Sequence, residues 1–477
     1  MATATPTPPI VRRRRATEAQ LVIAIGTVIA ALYTLASLAL DGDISTQLIP
    51  LFIGVLVLTA VAHIAIRKLA PAADPTLLPL AALLHGIGYV MITRLDDGLA
   101  ARQSTWSLIA VAAFVITLLA IPRITGLLRR QWWLLGAAIA LLVSPFVPGV
   151  GVTFGGARIW VSIGPINFQP GEFAKVLLAV FFASYLADRR MLLRDRSWKL
   201  GPLRLPQPAD LFPVAFGWGL AVLIMVGQRD LGSSLLFFTL FIVMLWTATE
   251  RLTYLLVGLL LFAGAAYMAW RMFGHVQTRV DIWLDPWADE YGKGYQLVQA
   301  LYGIADGGLV GTGLGRGNPN LIPEAQNDFI FAAIGEELGM LGAGAVLGAY
   351  VLIIRAGLQI ATRTSREVEK LLAVGLTTIV GMQAFIIVGG VIKVVPLTGI
   401  TLPFVSYGGS SLLANYVLLA LLIRVSDSAA VRLGERPDDP TWAERLAAWR
   451  LRRRGGSLSA TEAIPVTERE EGNLRSA

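Results

Sequence analysis

Apolar runs of about twenty residues recur along almost the whole chain, and each is long enough to cross a hydrocarbon core of about 30 Å as a helix. No water is available in that core, so the backbone must satisfy its own hydrogen bonds, which a helix does. Composition agrees: 55% of residues are apolar, mean hydropathy is +0.65, and 15% are charged against about 25% in a typical soluble domain. The expected fold is an all-α polytopic membrane protein.

About twelve spans are expected, with cores near 21–40, 48–66, 77–92, 105–121, 132–146, 173–187, 211–226, 233–248, 254–270, 329–354, 371–391 and 404–423. Arg and Lys collect in alternate connections, at Arg12 to Arg15, Arg67 and Lys68, Arg123 to Arg130, Arg189 to Arg204, Arg355 to Lys370 and the C-terminal tail. Cytoplasmic loops retain such residues, so both termini are expected inside. The lightly charged or acidic connections, including 41–47 and 95–103, then lie outside.

Residues 1–17 and 432–477 read as cytoplasmic tails flanking a transmembrane domain over 18–431. Within the second tail, TWAERLAAWRLRRR (441–454) reads either as a basic amphipathic helix on the inner leaflet or as a solvated charged segment. The net charge of +8 resides largely in these inner segments, which favours anionic lipid headgroups as partners rather than nucleic acid. Cysteine is absent, which excludes disulfides and thiolate metal sites. The first apolar run is of spanning length with no small-residue cleavage pattern behind it, so it is expected to serve as its own insertion signal.

An outer segment over 271–328 is far longer than an ordinary connector and so reads as functional. It contains DIWLDPW (281–287), whose tryptophans suit the membrane interface. It also contains GGLVGTGLGRGN (307–318), which reads either as a tight re-entrant turn or as a loop bringing backbone amides to a sugar or pyrophosphate.

Four outer segments hold polar residues where apolar ones are expected, and helix order puts all four on one side, where they can form one site. They are GARIW (156–160) with NFQPGEFAK (167–175), GQRDLGSS (227–234), the segment around Asp328, and IKVVPLTGITLPFVSYGGSS (392–411). Asp328 is a bare carboxylate where the outer loop meets a long apolar stretch, a costly position that marks function. Glu172 and Lys175 are three apart at a helix start after Pro170 and share a face, as a structural ion pair or as part of a substrate pathway. Asp230 reads as a site carboxylate or as the N-cap of the next helix. The five donors of Arg229 suit phosphate or carboxylate, and Lys393 adds a point charge between apolar runs. His63, His85 and His275 show no metal-ligand spacing, and HExxH, GxSxG and paired-carboxylate glycosidase patterns are absent, which disfavours metal or serine hydrolysis.

These segments resemble the SEDS proteins of bacterial cell-wall synthesis, whose members include RodA and FtsW. The likeness extends from about Leu77 to Ser426. It rests, in the family's order, on GARIW, QPGEFAK, RDLGSS, LDPW followed by GKGYQLVQA, GGLVGTGLG, PEAQNDFIFAAIGEELG and PLTGITLPFVSYGGSS. The chain looks most like actinobacterial RodA-type members, with extra N-terminal helices and a basic residue at Lys393. The resemblance implies a peptidoglycan glycosyltransferase that polymerises lipid II at the outer face of the cytoplasmic membrane, for elongation and shape or for division, with a class B penicillin-binding protein as partner. The family's catalytic aspartate falls on Asp328, its membrane-embedded Glu and Lys on Glu172 and Lys175, and the aspartate of its QPDLG-type segment on Asp230. The chain departs from the family at Gly171, where Ser is common, and at Gly227 and Arg229, which replace the usual Lys and Pro.

On this reading Asp328 is general base for the acceptor's 4-hydroxyl and undecaprenyl diphosphate leaves with inversion. Arg158, Lys175, Arg229 and Lys393 hold the pyrophosphate, directly or through a divalent cation such as Mg or Mn, and Glu172, Asp230 and Ser406 line the substrate. An ordinary Asp, with a pKa of about 3.9, is a weak base; a low-dielectric position raises that value and a nearby Lys175 lowers it. The alternatives are a lipid-linked sugar flippase and a structural scaffold. Polar motifs at the outer helix ends and the lack of a convincing internal repeat weigh against transport.

Overall fold

The computed structural model describes residues 9–435, apart from 42–48, 125, 127–129, 155, 165, 196, 201–202 and 207. Helices α1 (Pro9–Asp41), α2 (Ile49–Leu69), α3 (Leu77–Leu95) and α4 (Asp97–Ala120) lead to a shorter apolar helix α5 (Gln131–Val143). A small antiparallel sheet follows, β1 (Gly151–Phe154), β2 (Ala157–Ile163) and β3 (Ile166–Phe168), in the order β1-β2-β3. Helix α6 (Pro170–Asp195) and a hairpin of β4 (Ser197–Leu200) and β5 (Leu203–Pro206) precede α7 (Pro208–Gly227), α8 (Leu231–Thr249) and α9 (Leu252–Met272). The long segment over 271–328 folds into α10 (Gly274–Leu284) and α11 (Tyr295–Gly307), after which α12 (Ile330–Arg363), α13 (Glu367–Val391) and α14 (Gly409–Arg432) complete the bundle.

Every apolar stretch expected from the sequence falls on a helix. Among the described residues nine helices, α1–α4, α8, α9 and α12–α14, are long and apolar enough to cross a membrane, and α5 and α7 are shorter apolar helices. The strands were not anticipated; they are three to seven residues long, and sequence periodicity is uninformative over so few residues.

Burial separates centre from rim. In α3 and α14, 83% of the spanning window is buried, against 11% in α9, whose Leu259, Leu260 and Leu261 face outward. Helix α4 packs on α14, α12 on α13, and α13 on α6 and α8. Boundaries follow local chemistry. Asp96 caps α4 by accepting hydrogen bonds from the amides of Gly98 (2.7 Å) and Leu99 (3.1 Å). Glu250 ends α8 in the left-handed region at φ +57°.

Three expectations change. Residues 9–17 were expected in a tail but form the first turns of α1, because Arg14 donates to Ala72 O (2.7 Å) and Arg15 pairs with the fully buried Glu18. The span expected from 404 begins instead at Gly409, since 404–408 form a turn facing the site. Helix α12 is broken at Gly339. The possible amphipathic helix over 441–454 lies outside the described residues.

Candidate active site

The loop before α12 is pinned from the 397–407 turn. Tyr407 N donates to Gln326 O (2.8 Å), and Ser406 Oγ donates to Asn327 O (2.7 Å) while accepting from Leu402 N (2.9 Å). Asp328 is the next residue. It is half-buried, and among the described residues its carboxylate has no hydrogen-bond or ion-pair partner. Burial pushes its pKa up to about 7, with Arg279 pulling down and Glu324 pushing up.

Arg279 comes from α10, and its Nη1 donates to Leu397 O (2.9 Å). Gly399, at φ +74°, leaves a gap above the pair: a Cβ there would lie 3.5 Å from Asp328 Oδ2 and 3.6 Å from Arg279 Nη2. The carboxylate and the guanidinium therefore face the same small space. Burial lowers the pKa of Arg279 while Asp230 and Asp328 raise it, and a guanidinium stays charged regardless. His275 lies one turn earlier on the same face of α10. Burial and the charges of Arg229 and Arg279 lower its pKa, and its Nε2 has no partner.

Asp230 caps α8, accepting from Ser233 N at 2.9 Å. Burial raises its pKa, the Ser233 hydrogen bonds lower it, the charge of Glu172 raises it and that of Arg279 lowers it, so Asp230 lies within electrostatic reach of both α6 and α10. The 398–400 loop presses onto this helix start: a Cβ at Gly232 would come within 2.7 Å of Ile400 and 2.9 Å of Thr398. Arg229 turns the chain at φ +63°, a conformation that costs a non-glycine residue of order 1 kcal/mol and is tolerated where neighbours enforce it. Its exposed side chain has no partner among the described residues. In α6, the buried Lys175 Nζ donates to Glu172 Oε2 (2.5 Å) and to Gln383 Oε1 of α13 (2.8 Å). A line of charges thus runs Lys175, Glu172, Asp230, Arg279, Asp328, and among the described residues only its last member has no hydrogen-bond partner.

Other expected residues go elsewhere. Arg158 on β2 donates from Nε to Pro145 O (2.8 Å), and its guanidinium lies 6.0 Å from the Phe146 ring centre, so it braces the sheet. Lys393 sits 5.0 Å over the Trp287 ring and reaches Leu284 O at 3.4 Å, tying its loop to the DIWLDPW segment. Ser406 holds the backbone on which Asp328 stands rather than facing the gap. The glycine run turns its amides on α12: Thr312 N and Gly313 N donate to the carbonyls of Glu336 (2.9 Å) and Glu337 (3.1 Å), and Gly315 N donates to Glu337 Oε2 (3.1 Å). That geometry is a tight turn folded back on the start of α12.

Arg279 and His275 were missed. The available signal was their i, i+4 spacing in a short helix inside a segment already marked as functional. For a divalent cation, no three His, Cys, Asp or Glu side chains among the described residues converge. Asp230 is engaged as a cap and Glu172 with Lys175, which leaves Asp328 as the open carboxylate. Such a donor set fits a hard cation that brings its own water and takes most of its oxygens from a pyrophosphate, not an all-protein cage.

The cell cycle protein family FtsW/RodA/SpoVE matches residues 76–430. The chain belongs to that family. Its relatives include the peptidoglycan glycosyltransferase RodA of Mycobacterium tuberculosis, 43% identical over 90% of this chain and 94% of that one. Among solved structures, a chain of a peptidoglycan synthase complex superposes with a TM-score of 0.63 at 29% identity, covering 75% of this chain and 98% of that one. RodA of Thermus thermophilus superposes at 0.53 and 26% identity, covering 77% and 99%. Helices α1 and α2 precede the family match, whereas every element lining the Asp328 gap lies inside it.

Proposed function

We propose that this chain, a multi-pass membrane peptidoglycan glycosyltransferase of the SEDS family, polymerises lipid II at the outer membrane face with Asp328 as general base. The observation that carries the reading is a carboxylate with no hydrogen-bond partner, its pKa raised to about 7, facing Arg279 across the gap under Gly399. A base titrating near the working pH is suited to general catalysis. Asp328 takes the proton of the acceptor 4-hydroxyl as its oxygen attacks the donor anomeric carbon. The bond to the pyrophosphate breaks, and its electron pair leaves on undecaprenyl diphosphate.

Arg279 faces both charges of this reaction. Arg229, exposed and without a partner among the described residues, and Arg279 are the cations we assign to the pyrophosphate; Lys175 acts through Glu172 and Asp230 by holding the floor of the site. Mg or Mn would supply further charge neutralisation on the pyrophosphate, with water and pyrophosphate oxygens as its ligands, which leaves Asp328 free to act as the base. Arg158, Lys393 and Ser406 support the site's walls. We take α5, α6 and α7 as crossings, which gives twelve spans with both termini inside. The partner we assign is a class B penicillin-binding protein, and the role is elongation and shape, by likeness to the mycobacterial relatives.

The test is direct: purified chain, alone and with its cognate transpeptidase, is given lipid II, and glycan chains are resolved on a gel. Polymer made by Asp328→Ala at the wild-type rate would sink the base assignment.

A further inference from the structure

Helix α12 has 34 residues, about 51 Å of rise at about 1.5 Å each, too long for one crossing of about 30 Å. It is broken at Gly339 (φ +65°, ψ −168°). Between the break and Arg355, the fifteen residues 340–354 rise only about 22 Å. With Arg355 as its inner limit, the span needs about 8 Å more apolar depth on its outer side, which the residues around the break are placed to supply.

What surrounds it is the 307–313 turn. Gly308 O accepts from Met340 N (3.0 Å) and Leu309 O from Leu341 N (3.1 Å), while Thr312 N and Gly313 N donate to α12 carbonyls. Only glycine fits at 311, where φ is +87° and a Cβ would lie 2.2 Å from Glu337 O. Gly308 O, Leu309 O, Thr312 N and Gly313 N are thus engaged by the helix and Gly311 N donates to Gly307 O (2.8 Å), which hides much of the turn's polar backbone, as irregular backbone at membrane depth requires. The side chains of Leu309 and Val310 point the other way. Leu309 is 62% exposed and Val310 71%, continuous with Met340 at 68% and Leu341 at 63%, the first residues of the membrane-spanning half of α12. An exposed apolar patch at this depth has an obvious solvent.

We propose that the 307–313 turn is re-entrant, dipping into the outer leaflet so that Leu309 and Val310 pack against phospholipid acyl chains. The turn then anchors the outer half of α12, and with it the Asp328 loop, at a fixed depth.

The chain has no cysteine, so Val310→Cys in the full protein takes a single nitroxide. In phosphatidylethanolamine–phosphatidylglycerol vesicles, which contain no polyprenyl lipid and no partner protein, collisions with oxygen and with a polar nickel chelate report depth. Leu352→Cys, on the outward face of α12, is the lipid reference, and Asn320→Cys the aqueous one. Val310→Cys should match Leu352→Cys, with high oxygen and low nickel access, and Leu309→Cys should repeat the result if the first variant is not monodisperse. Nickel access at the Asn320→Cys level puts the turn in water and overturns the proposal. Protection from both probes, meaning a protein surface covers the patch, overturns it equally.

Discussion

Two ends of this bundle carry buried charge of the same kinds and use it differently. At the end where α1 starts and α14 finishes, Glu18, Glu250, Glu367 and Glu369 are each closed on a cation. Arg432 grips Glu369 with two bonds (2.9 and 2.7 Å), His63 sits 2.6 Å from a Glu18 that also pairs with Arg15, and Arg190 bridges Glu250 (2.8 Å) and Glu367 (2.5 Å). At the opposite end Glu172 and Asp230 are likewise engaged, but among the described residues Asp328 and Arg229 have no hydrogen-bond or ion-pair partner and His275 Nε2 has no hydrogen-bond partner. Closed networks hold helices in place; a network left open at one position keeps that position available for substrate.

The sharpest way to break this contrast is Asp328→Ala. We expect glycan polymerisation to fall by on the order of 100- to 10,000-fold with an unchanged melting temperature in detergent, measured by gel assay and thermal shift. Equal losses of activity and stability would place Asp328 with the scaffold acids.

Glu369→Gln should do the reverse. Removing one partner of a buried pair costs about 3 kcal/mol, so thermal unfolding moves down while the turnover of protein that remains folded stays near wild type. A normal melting curve with lost turnover would erase the distinction between the two ends.

Arg279→Met removes one charge-assisted contact of about 1.5–3 kcal/mol, a loss of roughly 10- to 100-fold in rate. The pH profile gives the sign. Asp328 is active as the carboxylate, so wild-type activity should fall as pH drops through about 7. Because Arg279 lowers the pKa of Asp328, its removal should move that acid limb to higher pH. A rate loss with the limb unmoved would mean that the two groups are not coupled.

Ser406→Ala should show the smallest effect. It removes one bond to Asn327 O and one from Leu402 N, about 1 kcal/mol of support, and should lower kcat several-fold with little change in KM. An effect as large as that of Asp328→Ala would make Ser406 a direct substrate contact.

Much of the fold was legible because its governing rule is local. A run of apolar residues long enough to span has one low-energy solution in lipid, so each expected stretch is a helix, and helix order alone sets which connections share a side. Asp328 was legible for the same reason: an unexplained carboxylate beside apolar sequence is costly wherever the chain goes. Side-chain partnerships obeyed no such rule. Arg279 reaches Leu397 O across more than a hundred residues, Lys393 turns to Trp287, and the glycine run closes on Glu336 and Glu337. The sequence by itself determined that this chain is a bundle of membrane helices with one exceptional acid at an outer loop. Only the tertiary structure decided which cation faces that acid and where α12 breaks, because such contacts depend on the packing of distant elements and leave no periodic trace in the chain.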